Sequence, residues 1–172
     1  MTTANKITLL RILLIPIFLV LAYLGLTWWA LAVYIVACLS DTLDGYIARR
    51  CKQITDFGKF MDPLADKMLV LTAMILFVEK GLMPGWAVAI VVFREFAVSG
   101  LRLIAVEQQR VIAAAWSGKI KTTVTMIGLG AILVFGRITA LRWTIIVLIV
   151  LTTLYSGAEY FIKNRDVFMN AK

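Results

Sequence analysis

The chain has 172 residues, 62% hydrophobic and 16% charged, with a net charge of +8 and no histidine. Soluble domains carry about 45–50% apolar and about 25% charged residues, so this composition excludes a disordered chain and argues against a water-soluble domain. Without histidine there is no imidazole general base, no histidine-ligated zinc and no Ser-His-Asp triad.

A membrane-crossing helix needs about 20 mostly apolar residues. Six of them would use most of the chain and leave no room for a soluble domain of normal size, so residues 1–172 read as a single membrane domain. Residues 12–40 carry no charge. As one helix they would extend about 43 Å, too long for one span. The run divides near Gly25-Leu26-Thr27 into spans at 8–25 and 28–50. Shorter charge-free runs at 68–78, 81–93, 122–136 and 143–158 place the others at 60–79, 84–106, 117–136 and 141–162. Met83-Pro84-Gly85 reads as a turn before the fourth. The expected fold is an all-α integral membrane protein with six transmembrane helices.

Six spans put both termini on one side. Fifteen of the eighteen basic residues then fall on that side, and only Lys80, Arg137 and Arg142 on the other. This makes the terminal side cytoplasmic. Trp28, Trp29, Trp86 and Trp143 fall near the outer ends of spans and Trp116 near the inner interface, as an aromatic belt requires. In so apolar a chain the positive charge points to topology, anionic lipid or anionic substrates rather than nucleic acid. Cys38 and Cys51 do not form a CxxC pair or suggest a disulfide framework.

Five of the ten acidic residues lie between positions 41 and 66. Asp41 and Asp44 are spaced i,i+3, and Asp62 and Asp66 i,i+4, so on helices each pair shares a face. Both pairs sit at the cytoplasmic ends of spans joined by a basic loop from Arg49 to Lys59, and the four carboxylates can converge. Such a cluster near a bilayer needs neutralising. A hard divalent cation suits its oxygens, Mg²⁺ first, with Mn²⁺ or Ca²⁺ as alternatives. Gly45 and Gly58 leave space beside the acids, and Arg49 offers a planar fork for phosphate. Taken singly, Asp62 before Pro63 is also compatible with a helix N-cap, and Asp56 with a solvated loop.

These residues spell DxxDGxxAR over 41–49, then eight residues, then GxxxDxxxD over 58–66. The pattern resembles the CDP-alcohol phosphotransferase signature at every fixed position. The resemblance implies a divalent metal centre formed by Asp41, Asp44, Asp62 and Asp66, with Asp66 as general base. It implies that Gly45, Arg49, Thr55 and Gly58 hold the CDP part of a CDP-linked lipid. Asn5 and Thr8, with Arg11, resemble the family's NxxTxxR segment bordering the nucleotide. A homodimer is implied by the resemblance alone.

The signature leaves the acceptor alcohol open. The region of about 94–122 carries Arg94, Arg102, Arg110, Lys119 and Lys121 against Glu95 and Glu107, which suggests a phosphorylated acceptor. Residues 94–102, 111–114 and 118–122 resemble the phosphatidylglycerophosphate synthases of that family. The implied reaction transfers a phosphatidyl group from CDP-diacylglycerol to sn-glycerol 3-phosphate at the cytoplasmic membrane, with Arg94, Arg102, Lys119 and Lys121 as candidates for the acceptor phosphate. Three alternatives stay open: a relative that uses inositol phosphate or forms cardiolipin, a divalent-cation transporter, and a lipid-binding or scaffolding membrane protein without catalysis.

Overall fold

The computed structural model describes the backbone of residues 3–51, 56–107, 112 and 115–165, and the side chains of residues 9–40, 67–106, 112 and 115–165. Among the described residues there are six helices: α1 (Thr3–Tyr23), α2 (Thr27–Cys51), α3 (Asp56–Glu79), α4 (Gly85–Glu107), α5 (Trp116–Phe135) and α6 (Thr139–Lys163). Each expected span has its helix. The largest departures are at the starts of α1 and α3, five and four residues earlier than the spans. A span boundary marks where apolar character begins, whereas a helix runs on through polar residues.

The turns follow from local chemistry. The expected break at 25–27 is a turn with Gly25 at φ 75°, a region that L side chains rarely adopt. Gly81, at φ 66°, ends α3 in the same way. Pro84 directly precedes α4, where its missing N–H costs no helical hydrogen bond. The Asp62-Pro63 step lies inside α3, so Asp62 does not cap that helix. Arg49 and Lys59 are likewise helical, on α2 and α3, and the link between those helices is shorter than the expected basic loop.

Short turns join α1 to α2, α3 to α4 and α5 to α6, giving three antiparallel hairpins whose turns gather at one end. There the Tyr23 hydroxyl donates to the Glu79 carboxylate, and the Lys80 ammonium donates to the Ala22 carbonyl. The helices pack as a closed ring in the order α1, α2, α5, α6, α4, α3, with α3 also touching α5 and α2 across it. The two signature helices are therefore held mainly by shared neighbours, α1 and α5. Phe18, Phe77, Met74, Ile132 and Ile146 fill the apolar core.

Large apolar side chains also face outward on every helix, among them Leu13, Val36, Ile75, Phe93, Ile127 and Leu154. An apolar surface of this extent is suited to lipid rather than water. Two of the helices, α5 and α6, are long and apolar enough to cross a membrane by length and composition.

Candidate functional site

The end of the bundle away from the three turns has a polar interior. Arg11 of α1 is fully buried, and its Nε donates to Ser40 Oγ at 3.4 Å. Ser40 immediately precedes Asp41. The contact pins the near-terminal segment of α1 against α2 where the first acid pair begins.

Asp41 and Asp44 lie on α2, and Asp62 and Asp66 on α3, so each expected pair is carried by one helix. Gly45 and Arg49 share α2, and Gly58 shares α3. Asn5 and Thr8 lie on α1. The side chains of these residues, and Thr55 as a whole, lie outside the described residues. Among the described residues no group of acids and cysteines could hold a metal ion. The chemistry of the signature positions nevertheless fits one. Four carboxylates, two on each of two helices, offer the all-oxygen donor set that a hard divalent cation takes.

The side chains of the candidate acceptor residues Arg94, Arg102, Lys119 and Lys121 are described. Lys67, one residue beyond Asp66, donates from its ammonium to Ser99 Oγ on α4. Glu95 accepts from Arg94 Nη1 at 3.1 Å and from the Lys121 ammonium. These side chains are largely buried, with 11% of Arg94, 17% of Glu95 and 4% of Lys121 exposed. Arg94 is the tenth residue of the 23-residue α4, so it lies in mid-helix rather than at the cytoplasmic end where the sequence places it. Arg102 Nη2 donates to the Tyr160 hydroxyl at 2.5 Å. Lys119 stands apart: it is exposed, with its ammonium 5.1 Å from the centre of the Trp116 ring.

Three cations, Lys67, Arg94 and Lys121, thus surround one carboxylate, Glu95. Burying charge is costly unless it is compensated. Among the described residues this leaves a surplus of two positive charges, which matches a phosphate monoester, with about two negative charges at neutral pH. Among the described residues, two buried side-chain atoms have no hydrogen-bond partner, Arg94 Nε and Ser117 Oγ. Leaving such a donor unpaired costs about 1–3 kcal/mol.

The sequence gives little weight to the side chains that hold these cations. On α6, Thr153, Ser156, Gly157 and Tyr160 follow an i, i+3, i+4, i+7 pattern and are all buried. Arg94 Nη2 donates to Ser156 Oγ at 2.5 Å, and the Arg94 guanidinium lies 5.9 Å from the centre of the Tyr160 ring. A Cβ on Gly157 would come within 3.3 Å of Arg94 Cγ, and one on Gly118 within 3.6 Å of Arg94 Nη2. The available signal is a stripe of small and hydroxyl residues in an otherwise apolar helix, a pattern that simple helix packing also produces.

The family model described as CDP-alcohol phosphatidyltransferase matches residues 1–155. The chain belongs to the CDP-alcohol phosphatidyltransferase family. It is 41% identical over 182 aligned positions to the CDP-diacylglycerol–glycerol-3-phosphate 3-phosphatidyltransferase of Bacillus subtilis, covering 94% of each chain. It is 40% identical over 136 positions to the Escherichia coli K12 protein of the same name, covering 74% of each. A probable phosphatidylglycerophosphate synthase of Mycobacterium tuberculosis is 34% identical over 176 positions, 95% of this chain and 82% of that one. In this family member the signature aspartates lie on α2 and α3, and Lys67, Arg94 and Lys121 lie on α3, α4 and α5, with Lys121 buried.

Proposed function

We propose that this phosphatidyltransferase moves the phosphatidyl group of CDP-diacylglycerol to sn-glycerol 3-phosphate, releasing CMP and phosphatidylglycerophosphate. The relatives named for that reaction support it, one of them over 94% of both chains. The observation that favours a phosphorylated acceptor is the surplus of buried positive charge around Glu95. A cation transporter is disfavoured, because the four signature aspartates all belong to one end of the bundle and a transport path would need a series of ion ligands further along it.

The family is generally dependent on divalent metals. Asp41, Asp44, Asp62 and Asp66 would hold the metal, with Mg²⁺ as the preferred ion. Bound there, it would neutralise the diphosphate and favour departure of CMP. Gly45, Arg49, Thr55 and Gly58 bind the CDP part, bordered by Asn5 and Thr8. Arg94, Arg102 and Lys121 hold the acceptor phosphate; Lys119 contributes only if it leaves Trp116. Asp66 takes the proton from the glycerol hydroxyl. The hydroxyl oxygen then forms a bond to the lipid-side phosphorus as the bond from that phosphorus to the CMP oxygen breaks. Residues 1–172 act as one domain of six membrane spans, with both termini and the site facing the cytoplasm, and assemble as a homodimer.

The test is CMP release by detergent-solubilised protein given CDP-diacylglycerol, glycerol 3-phosphate and Mg²⁺. Release should require the acceptor, stop with chelator and be lost in Asp66→Asn. Activity with serine or inositol phosphate but not glycerol 3-phosphate would overturn the acceptor assignment.

A further inference from the structure

We infer that Ser156, Gly157 and Tyr160 of α6 are positioning residues that set acceptor affinity by fixing the guanidinium groups of Arg94 and Arg102. The inference rests on the proposed acceptor role of those two arginines. It adds a third element to the site, on a helix segment that carries neither signature acids nor cations of the acceptor cluster.

The geometry assigns each residue a distinct task. A free arginine side chain has many rotamers, and ordering it at the moment of binding lowers affinity. Here the Arg94 stem passes over the bare Cα of Gly157, where an added Cβ would lie 3.3 Å from Cγ. Ser156 Oγ takes one Nη2 hydrogen at 2.5 Å, and Glu95 takes one from Nη1 at 3.1 Å. The Tyr160 ring lies 5.9 Å from the Arg94 guanidinium and 5.3 Å from that of Arg102, within range for cation–π attraction. Its hydroxyl also accepts from Arg102 Nη2. One buried tyrosine therefore braces two cations eight residues apart on α4. The contacts from α6 are neutral, so beyond the one ion pair of Arg94 with Glu95 they hold both guanidinium groups without cancelling further charge. A second carboxylate in place of Ser156 would have spent that charge inside the protein.

The test is steady-state kinetics on the full-length protein, with both substrates varied. Tyr160→Phe and Ser156→Ala should each raise KM for glycerol 3-phosphate about tenfold, the effect of losing one hydrogen bond to a charged group. KM for CDP-diacylglycerol should stay within about twofold, since no described contact of these residues reaches the signature. Gly157→Ala should act in the same direction by displacing the Arg94 stem. In an Arg94→Lys background, Ser156→Ala should have no further effect, because its partner is already gone. Equal changes in both KM values, or additive effects in that double variant, would mean a merely structural role and overturn the inference. If Arg94→Ala itself leaves acceptor KM unchanged, the acceptor-site reading fails first. If it raises KM while the α6 variants do not, only the positioning role fails.

Discussion

The two ends of the bundle solve the burial problem in opposite ways. At the turn end, Phe18, Phe77 and Met83 pack with aliphatic neighbours, and the charged Glu79 and Lys80 stay exposed at the rim. At the other end, Arg11 and Lys121 are buried, and Arg94 and Glu95 nearly so. The first end is optimised for cohesion. The second keeps charge out of solvent, which is expensive, and matches it with only one described carboxylate. The difference separates what holds the helices together from what they are held together for.

That contrast can be broken by substitution. The largest expected effect is Asp66→Asn: loss of a general base should lower CMP release about 10²–10⁴-fold, with the melting temperature little changed. At the opposite end, Phe77→Ala should cost about 3 kcal/mol of stability, the lower end for a buried phenylalanine, because packing rather than water exclusion drives helix association in lipid. Its activity per folded molecule should stay near that of the parent, as thermal denaturation alongside CMP release would show. A fall in turnover as large as that of Asp66→Asn would mean the two ends are not separable.

Smaller changes sharpen the comparison. Replacing Glu95 and Lys121 together by Leu and Met should leave thermal stability equal or raised by about 1–4 kcal/mol, as for other buried ion pairs exchanged for apolar groups, while KM for glycerol 3-phosphate rises at least tenfold. A large loss of stability would show that the pair serves the fold instead. Gly25→Ala should be the mildest, costing about 1–2 kcal/mol for a left-handed backbone with a side chain, with kinetic constants unchanged. The space around Gly25 is open, so backbone conformation alone carries that cost.

Much of the fold is legible in the sequence because charge and apolar runs mark helices directly. The four aspartates stand out for a related reason: half the acids of the chain crowd into 26 positions. The depth of Arg94 is not legible. A charged Arg-Glu pair reads as the end of an apolar run, yet Glu95 and Lys121 partly neutralise each other and allow the pair to sit in mid-helix. The role of α6 is hidden for a different reason. Serine, glycine and tyrosine acquire meaning only when a particular arginine from α4 lies against them, and no spacing within α6 encodes that partner.

The ring order also bears on how such a protein is made. Each of the three hairpins closes between chain neighbours, so it can form as soon as its second helix is made. The seams α1–α3, α2–α5 and α4–α6 join helices distant in sequence and complete the ring. Glu95 meets Lys121, and Arg94 meets Ser156, only across helices of different hairpins. Until the ring closes, those charges lack these partners, a costly state in an apolar surrounding. The charged end is therefore the last part to be completed, because its ion pair and its Arg94–Ser156 hydrogen bond form only when the hairpins meet.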